Sequence, residues 1–313
     1  MDVGMIVGEA TPLSWDRWRH ISRLAERLGF KSLFRSDHYF NGVQKEAIDV
    51  YLSFVMTAEV TQHIRFGPLV SPVTFRQPVN VGRMAQQLDA LSGGRYVQGL
   101  GIGWFEPEHH IYGLDFPPLT ERYDRLEEAI GLIRQLWYSA DGRFDGDYYR
   151  IAGTDSQPHP PSGRPPILIG GKGPKRTLRI VAEHANEWNA TPMSPAQYRK
   201  AVDALEQHCA DTGRDPSEIR RSMLLFATIG PDDRTQRMAT QRFVDMMAPG
   251  ATIEEAVARN HIPWRGSVDQ LVDHLGQLGE LGLHEVVFEH FCHEEDTIAE
   301  WLAAEVAPQL ADL

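Results

Sequence analysis

Short apolar runs alternate along the chain with longer segments in which apolar residues recur every three or four positions. Several of the short runs are almost continuously apolar, which is typical of parallel strands that are covered on both faces. These runs predict strands at Asp2–Val7, Lys31–Arg35, Ile64–Val70, Arg95–Gly101, Ile167–Gly170, Glu187–Ala190, Ser222–Ile229 and Glu285–His290.

The longer segments predict helices, some of them with clear end signals. Ser14 is a suitable N-cap for the first helix, which Gly29 ends, and Thr120 is a suitable N-cap for the helix that contains Leu126. Further helices are predicted at Met84–Leu91, Lys175–Glu183, Pro195–Ala210, Asp233–Met247, Ser267–Gly282 and Glu294–Ala307. A strand followed by a helix, repeated about eight times, predicts an α/β protein with a (β/α)8 TIM barrel. An open doubly wound sheet is the alternative, although eight units would be long for it.

Two segments interrupt this alternation. Gly103–Leu119 is a long loop with prolines and histidines after the fourth strand, and Tyr138–Pro166 is an insertion after the fourth helix. The insertion contains FDGDYYRI, in which Asp145-Gly146 favours a hairpin turn. Long ordered loops at a barrel mouth usually shape the site. We therefore expect one domain over residues 1–313, with 138–166 as an insertion segment.

Composition excludes several classes of protein. Of the 313 residues 42% are hydrophobic and 24% charged, as in ordinary globular domains. No apolar run is long enough to predict a membrane span, and the first residues do not resemble a signal peptide. The net charge of −12 argues against a general nucleic-acid binder. Two cysteines, Cys209 and Cys292, are too few for a disulfide framework, so a cytoplasmic location is the simplest expectation.

The first candidate for chemistry is Ser36-Asp37-His38, directly after the second predicted strand. Residues just past the carboxyl end of a barrel strand lie at the active face. A histidine there can take up or release a proton near neutral pH, and an adjacent aspartate can orient it or bind a polar ligand. A solvated loop that caps the next helix is the alternative interpretation.

Glycine-rich segments follow two other strands. Gly99-Leu-Gly101-Ile-Gly103 lacks the glycine spacing of a dinucleotide fingerprint, and we interpret it as backbone kept bare for a flat ligand, with tight barrel packing as the alternative. The segment GGKGPKR, from Gly170 to Arg176, lacks the spacing of a phosphate-binding P-loop but combines exposed backbone amides, a helix start and three cations. It predicts a phosphate site, with a solvated loop as the alternative.

A third group of polar residues lies in the long loop, at Glu106, Glu108, His109 and His110. Their spacing lacks a helical His–His pair, so we favour roles in supporting the site or contacting substrate over metal binding. Cys292 and His293 follow the last predicted strand, but a lone cysteine beside a histidine is more often inert than nucleophilic.

A series of segments occurs in a recognisable order: FRSDHYF, RFGPLVSPVTFRQP, LDALSGGRYVQGLGIGW, EHHIYG, ERYDRLEEAIGLIRQLW, FDGDYYRI, PPILIGGKG and EWNATP. In this order and spacing they resemble the luciferase-like flavin and deazaflavin oxidoreductases, and most of all the branch that uses coenzyme F420. The resemblance covers roughly residues 1–190 strongly and the rest more loosely. It implies a luciferase-like (β/α)8 barrel with an insertion after the fourth helix, a homodimer, and a cofactor across the carboxyl-terminal mouth.

The resemblance also implies roles for residues. Asp37 and His38 would contact the deazaflavin, with His38 as the catalytic proton-transfer group, and the Leu69–Val70 bond falls where the family has a non-prolyl cis peptide behind the ring. Further positions would line the ring or hold the cofactor phosphate: Ile102, Gly103, Gly171, Lys172, Gly173, Lys175 and Arg176. Substrate would contact Trp104, His109, His110 and Tyr112. The sugar-phosphate dehydrogenases of the family have a catalytic glutamate where this chain has Trp104, which argues for a more apolar substrate.

We therefore expect an F420-dependent oxidoreductase that transfers a hydride between the deazaflavin and a small organic molecule. An FMN-dependent monooxygenase of the same family is the alternative, since both cofactors carry phosphate. A protein that binds flavin without turnover and a metal-dependent barrel hydrolase that uses the histidine-containing loop are more distant alternatives. No metal, nucleic-acid or membrane partner is expected.

Overall fold

Among the described residues, nine strands pair in parallel within one sheet, and two more form a separate antiparallel hairpin. The computed structural model describes residues 1–8, 13–40, 47–139, 141–153, 164–258, 264–311 and 313. The strands are β1 Asp2–Val7, β2 Ser32–Arg35, β3 Arg65–Pro68, β4 Ser71–Pro72, β5 Gln98–Gly101, β6 Phe144–Asp145, β7 Arg150–Ile151, β8 Ile167–Gly170, β9 Glu187–Ala190, β10 Arg220–Phe226 and β11 Glu285–Glu289.

Helices connect these strands. They are α1 Trp15–Arg27, α2 Val50–Val60, α3 Pro78–Ser92, α4 Glu106–Ile111, α5 Leu119–Tyr138, α6 Thr177–His184, α7 Pro195–Thr212, α8 Asp233–Met247, α9 Ile253–Ala258, α10 Val268–Gly279, α11 Thr297–Trp301 and α12 Ala307–Leu310. A short 3-10 turn covers Pro216–Glu218, and a π-helical segment at Leu302–Val306 joins α11 to α12. No helix in the described ranges has both the length and the apolar character needed to cross a bilayer.

The sheet closes into a barrel at the third of its eight strand positions, which are called staves here. β3 and β4 follow one another and are separated only by Leu69 and Val70, whose peptide bond is cis. β3 pairs with β2, while β4 pairs with β5 and Phe66 forms a parallel bridge to Tyr96. The nine strands therefore make eight staves with parallel pairing throughout, which confirms the predicted (β/α)8 barrel.

Two apolar layers hold the barrel together. The larger cluster fills the space between the strands and the surrounding helices. A smaller cluster, with one side chain from most staves, fills the barrel interior and consists of Ile6, Phe34, Leu69, Val97, Leu168 and Val287. Because successive side chains of a strand point to opposite faces, most staves supply both clusters. The interior is therefore a packed floor beneath the carboxyl-terminal mouth.

Several sequence predictions need correction. Helix α2 was not predicted because apolar residues surround most of it and its few polar residues do not gather on one face, so no amphipathic period marks it. The predicted loop after the fourth strand contains α4, whose Pro107 is tolerated because it lies in the first turn. Thr120 is not an N-cap, since α5 begins at Leu119 with Pro118 in that position.

The third and last elements also differ from the pattern. The third strand is interrupted at Leu69 and Val70, and the final helical region covers Thr297–Leu310 rather than Glu294–Ala307. The predicted hairpin is present as β6 and β7, although Asp145 belongs to the first strand rather than to the turn. The proline-rich part of the predicted insertion, at 154–163, lies outside the described residues.

Candidate active site

Two adjoining cavities lie where the strands end. They share Ser36, His38, Leu69, Trp104, Thr191 and Leu224. One, of about 320 Å3, is lined in addition by four glycines and is called the glycine lobe; its further lining is Asp37, Val70, Pro72, Gly101, Ile102, Gly103, Gly170, Gly171 and Asn189. The other, of about 330 Å3, is called the apolar lobe; its further lining is Ile6, Gly8, Pro192, Phe226, Met246, Met247, Glu289 and Phe291. Both lie at the carboxyl-terminal face, where barrel enzymes carry their active sites.

His38 is held by a buried carboxylate. Its Nδ1 lies 2.8 Å from Oε2 of Glu108, a residue of α4 that is 0% exposed. The second oxygen, Oε1, accepts the backbone N–H of Phe40 at 3.1 Å and also that of Tyr39. A carboxylate can only accept here, so the neutral imidazole carries its proton on Nδ1 and leaves Nε2 as its basic nitrogen.

Aromatic rings confine the same imidazole. Trp104 and Phe105 approach the His38 ring edge-on, with centroids 5.7 and 6.3 Å away. Trp104 lines both lobes, as expected for a residue that faces substrate. Because the ring is fixed on one side by Glu108 and on others by aromatic side chains, His38 has one orientation at the junction of the two lobes.

Asp37 belongs to a different buried network. Its Oδ2 accepts hydrogen bonds from Ser71 Oγ at 2.7 Å and from Arg76 Nη1 at 2.5 Å, and Arg76 Nη2 donates to Oδ1 at 3.1 Å. Burial opposes the charge on Arg76, but the facing Asp37 raises the pKa of the guanidinium. Burial also raises the pKa of Tyr51 to about 12, so its hydroxyl donates to Ser71 as a neutral phenol. Asp37 lines the glycine lobe with its carboxylate already engaged.

The glycines of β5 serve packing more than ligand approach. A Cβ on Gly99 would lie 2.0 Å from the carbonyl oxygen of Pro68, and one on Gly101 would lie 2.6 Å from Cγ2 of Val70. A Cβ on Gly170 would meet Cγ1 of the same valine at 3.0 Å. The tight-packing alternative therefore applies to Gly99 and Gly101: they make room for Val70 beside the cis peptide bond predicted at Leu69–Val70, which is present.

The predicted phosphate loop divides into two parts. Arg176 is directed at α5, where its Nη2 lies 2.6 Å from Asp124 and 3.0 Å from Glu127, and its guanidinium covers the Tyr123 ring. Lys172 and Lys175 are exposed, and neither forms an ion pair within the described ranges. Helix α6 starts just beyond them without a side-chain cap on its first amides. Amides without a side-chain cap and two nearby lysines are the features that favour binding of an anion.

Three predicted substrate residues lie away from the described cavity lining. His109 is buried, with Nε2 2.7 Å from Thr74 Oγ1 and Nδ1 2.9 Å from the Phe105 carbonyl oxygen. His110 is exposed beside Glu106, and Tyr112 packs on Tyr39 with centroids 4.8 Å apart. The described part of the chain also contains no cluster of three metal-ligating side chains.

Two carboxylates at the mouth were not singled out from the sequence. Glu108 was grouped with its neighbours, because nothing in the sequence pairs it with His38, seventy positions away. Glu289 was not singled out, although it ends the apolar run VVFE at the carboxyl end of β11. A charged residue that closes an otherwise apolar barrel strand is the signal that could have identified it.

The chain is similar in sequence to known proteins over most of its length. A family model described as luciferase-like monooxygenase matches residues 3–297. An F420-dependent hydroxymycolic acid dehydrogenase of Mycobacterium tuberculosis is 30% identical, over 94% of this chain and 84% of the relative. An F420-dependent glucose-6-phosphate dehydrogenase of Microbacterium testaceum is 26% identical, over 92% of this chain and 91% of the relative.

Solved structures share the fold. An F420-dependent secondary alcohol dehydrogenase in complex with an F420-acetone adduct superposes with a TM-score of 0.80 over 99% of this chain and 98% of its own, at 17% identity. A coenzyme F420-dependent tetrahydromethanopterin reductase from Methanopyrus kandleri gives a TM-score of 0.79 at 19% identity, over 99% of both chains. At sequence identities this low, the two superpositions show a shared barrel fold alone.

The contacts of Glu108 generate the first prediction. Glu108→Ala leaves the His38 ring and the amides of Tyr39 and Phe40 without their acceptor. We expect the free energy of unfolding in urea to fall by about 2–4 kcal/mol, because buried donors without partners each cost roughly 1–3 kcal/mol. Glu106→Ala, at an exposed residue of the same helix, is the control and should stay within about 0.5 kcal/mol. Equal losses in the two variants would contradict the anchoring role.

Proposed function

Because the chain belongs to the luciferase-like monooxygenase family, we propose that it is an F420-dependent oxidoreductase that transfers a hydride between the deazaflavin and a small organic substrate. The observation that carries the proposal is the position of His38 at the junction of two lobes, one beside an anion site and one apolar. The names of the curated relatives support F420 as the cofactor.

The described residues fit such a cofactor. The glycine lobe offers a wall of backbone and small side chains from Leu69, Val70, Ile102 and Gly103 on which a flat ring system can lie. Gly171 continues this wall to the start of α6, where Gly173, Lys172 and Lys175 would hold the phosphate. We assign Arg176 to fixing this loop, because its guanidinium already binds two carboxylates of α5.

The bound coenzyme would supply the two-electron chemistry, and the chain would supply orientation and a proton path. His38 Nε2 accepts a proton from a substrate hydroxyl during oxidation, or returns it to a carbonyl oxygen during reduction. Glu108 keeps the imidazole in the tautomer that this requires and stabilises its protonated form. Trp104 lines both lobes beside His38, where it would contact the substrate.

An FMN-dependent monooxygenase is the second candidate, since the matching family model carries the monooxygenase description. The anion site at α6 suits the phosphate of either cofactor. Oxygen uptake with reduced FMN separates the two functions, because a reduced deazaflavin reacts poorly with oxygen.

We extend the proposal to a homodimer formed through α2 and α3. Helix α2 is apolar around most of its circumference, and its outer face exposes Leu52 by 61% and Val55 by 43%, beside Glu59, the one charged residue of the helix. Leu91 of α3 continues this face beside a groove of about 470 Å3. A helix that is apolar around most of its circumference is normally buried, so a second copy of the chain is the simplest cover.

Sedimentation tests the dimer. The intact chain should sediment as a dimer, and Leu52→Glu with Leu91→Glu should shift it to the monomer, because two carboxylates would be buried at the contact. Leu119→Glu introduces a charge at an exposed leucine elsewhere and should leave the dimer intact. A monomeric wild type would refute the proposed contact.

Cofactor titration tests both the function and the anion site. The wild type should bind F420 more tightly than FMN. The double variant Lys172→Ala, Lys175→Ala should lose about 1–4 kcal/mol of F420 binding free energy, since charge-assisted contacts are worth about 1.5–3 kcal/mol each. The loss should shrink as salt rises. The control pair Lys31→Ala, Lys200→Ala removes the same charge from exposed residues outside the segment 170–176 and should leave the affinity for F420 unchanged. Unaltered affinity in the first pair at low salt would remove these lysines from the site.

The proton-transfer role of His38 predicts a loss of turnover. His38→Gln preserves size and some hydrogen bonding but cannot titrate, so kcat should fall at least about 10²-fold and the pH dependence due to the histidine should flatten. His63→Gln, at an exposed position, is the control. Single-turnover kinetics at saturating cofactor provide the measurement. A raised cofactor Kd with near-normal turnover at saturation would instead assign His38 to cofactor positioning.

A further inference from the structure

Glu289 places a fixed carboxylate in the wall of the apolar lobe, although only 3% of the residue is exposed. Its Oε1 accepts the backbone N–H of Phe291 at 2.9 Å and Nε2–H of His293 at 2.6 Å. Its Oε2 accepts the backbone N–H of Gly8 at 2.6 Å. Two of the three donors are backbone groups at the ends of neighbouring strands, so the carboxylate keeps one position.

The neighbouring histidines do not neutralise this charge. Nδ1 of His293 is buried without a hydrogen-bond partner among the described residues, so a doubly protonated ring would bury an unpaired N–H. His293 therefore donates to Glu289 through Nε2–H, and no described residue offers its Nδ1 an acceptor for a second proton. Burial holds the pKa of His290 well below its usual range, so this ring is neutral.

The nearby arginines are matched by other carboxylates. Arg17 binds Asp296 at 2.7 Å, and Arg242 Nη1 donates to Glu294 at 2.5 Å. Among the described residues that line the apolar lobe there is no lysine or arginine, and His38 is the only titratable group besides Glu289. The lobe therefore presents a net negative charge within a mostly apolar wall.

The remaining lining of the apolar lobe favours ligands with an apolar carbon skeleton. Phe226 and Phe291 pack against each other at 5.7 Å, and Met246 and Met247 of α8 complete that side of the lobe. Screening by water is weak in such a cavity, so a fixed charge acts strongly on a ligand. A carboxylate attracts hydroxyl, amine and ammonium donors and repels carboxylates and phosphates.

From this arrangement we propose that Glu289 determines substrate specificity: the apolar lobe admits uncharged or cationic apolar molecules that carry a hydrogen-bond donor, and it rejects anions. The inference rests on the proposed function, because it treats the lobe beside His38 as the substrate side. It concerns binding, so it can be tested without turnover.

The test is a series of six-carbon probes that differ in their head group. Isothermal titration at pH 8 compares 1-hexanol, hexylammonium and hexanoate with the intact protein. We expect hexanoate to bind at least about tenfold more weakly than 1-hexanol, and hexylammonium at least as tightly as 1-hexanol. Glu289→Gln should narrow the gap between hexanol and hexanoate to within about threefold. Glu295→Gln, which removes the same charge from an exposed residue after the same strand, should preserve the gap.

A second variant guards against misfolding of Glu289→Gln. Met247 lies at the lobe and is 47% exposed, so Met247→Lys adds a cation without disturbing the carboxylate. It should strengthen hexanoate binding at least about tenfold. Equal wild-type affinities for hexanol and hexanoate, no measurable binding of hexanol, or discrimination unchanged in Glu289→Gln would each overturn the inference. Loss of F420 binding or turnover in the earlier experiments would instead refute the proposed function, while head-group selectivity could still be measured.

Discussion

The geometry of the barrel mouth depends on one buried carboxylate. Glu108 lies on α4, after the fourth stave, and binds three groups of the loop that follows the second stave. The third stave separates these two segments in the barrel. Glu108 therefore connects these two segments across the mouth and fixes the position of His38. Because a buried carboxylate is costly unless its lone pairs are satisfied, this connection requires all three hydrogen-bond donors together.

The third stave contributes the other half of this geometry. Its interruption at Leu69 and Val70 places the Val70 side chain among the glycines of the two following staves. A Cβ at Gly101 would collide with Val70 and one at Gly170 would be in tight contact with it, so the bare backbone and the interruption are parts of one packing arrangement. The wall of the glycine lobe is bare backbone at these positions because the three staves fit each other. The ligand-facing surface is thus a consequence of barrel packing.

Sequence reasoning located the barrel strands well because each is a short apolar run that helices cover on both sides. It missed α2, since a helix that is apolar around most of its circumference carries no period, and it missed α4, which is only six residues long. Local motifs placed His38, Trp104 and the loop from Gly171 to Arg176 at the mouth. They could not reveal that Arg176 pairs with α5 or that Glu108 reaches His38. Nor could they show that both ring nitrogens of His109 are hydrogen-bonded, to Thr74 and to the carbonyl oxygen of Phe105. Those contacts join residues far apart in sequence, and only the closed barrel brings them together.

The two lobes differ in charge, and this difference favours a different ligand in each lobe. The proposed anion site at α6 follows the glycine lobe and would suit a phosphorylated cofactor even in a chain with a net charge of −12. Glu289 makes the apolar lobe unfavourable for the same phosphate. In the proposed function, an anionic cofactor and a neutral substrate are therefore directed to opposite sides of His38, and neither competes for the other's lobe. The imidazole at their junction then meets both ligands, which is the arrangement that coupled hydride and proton transfer requires.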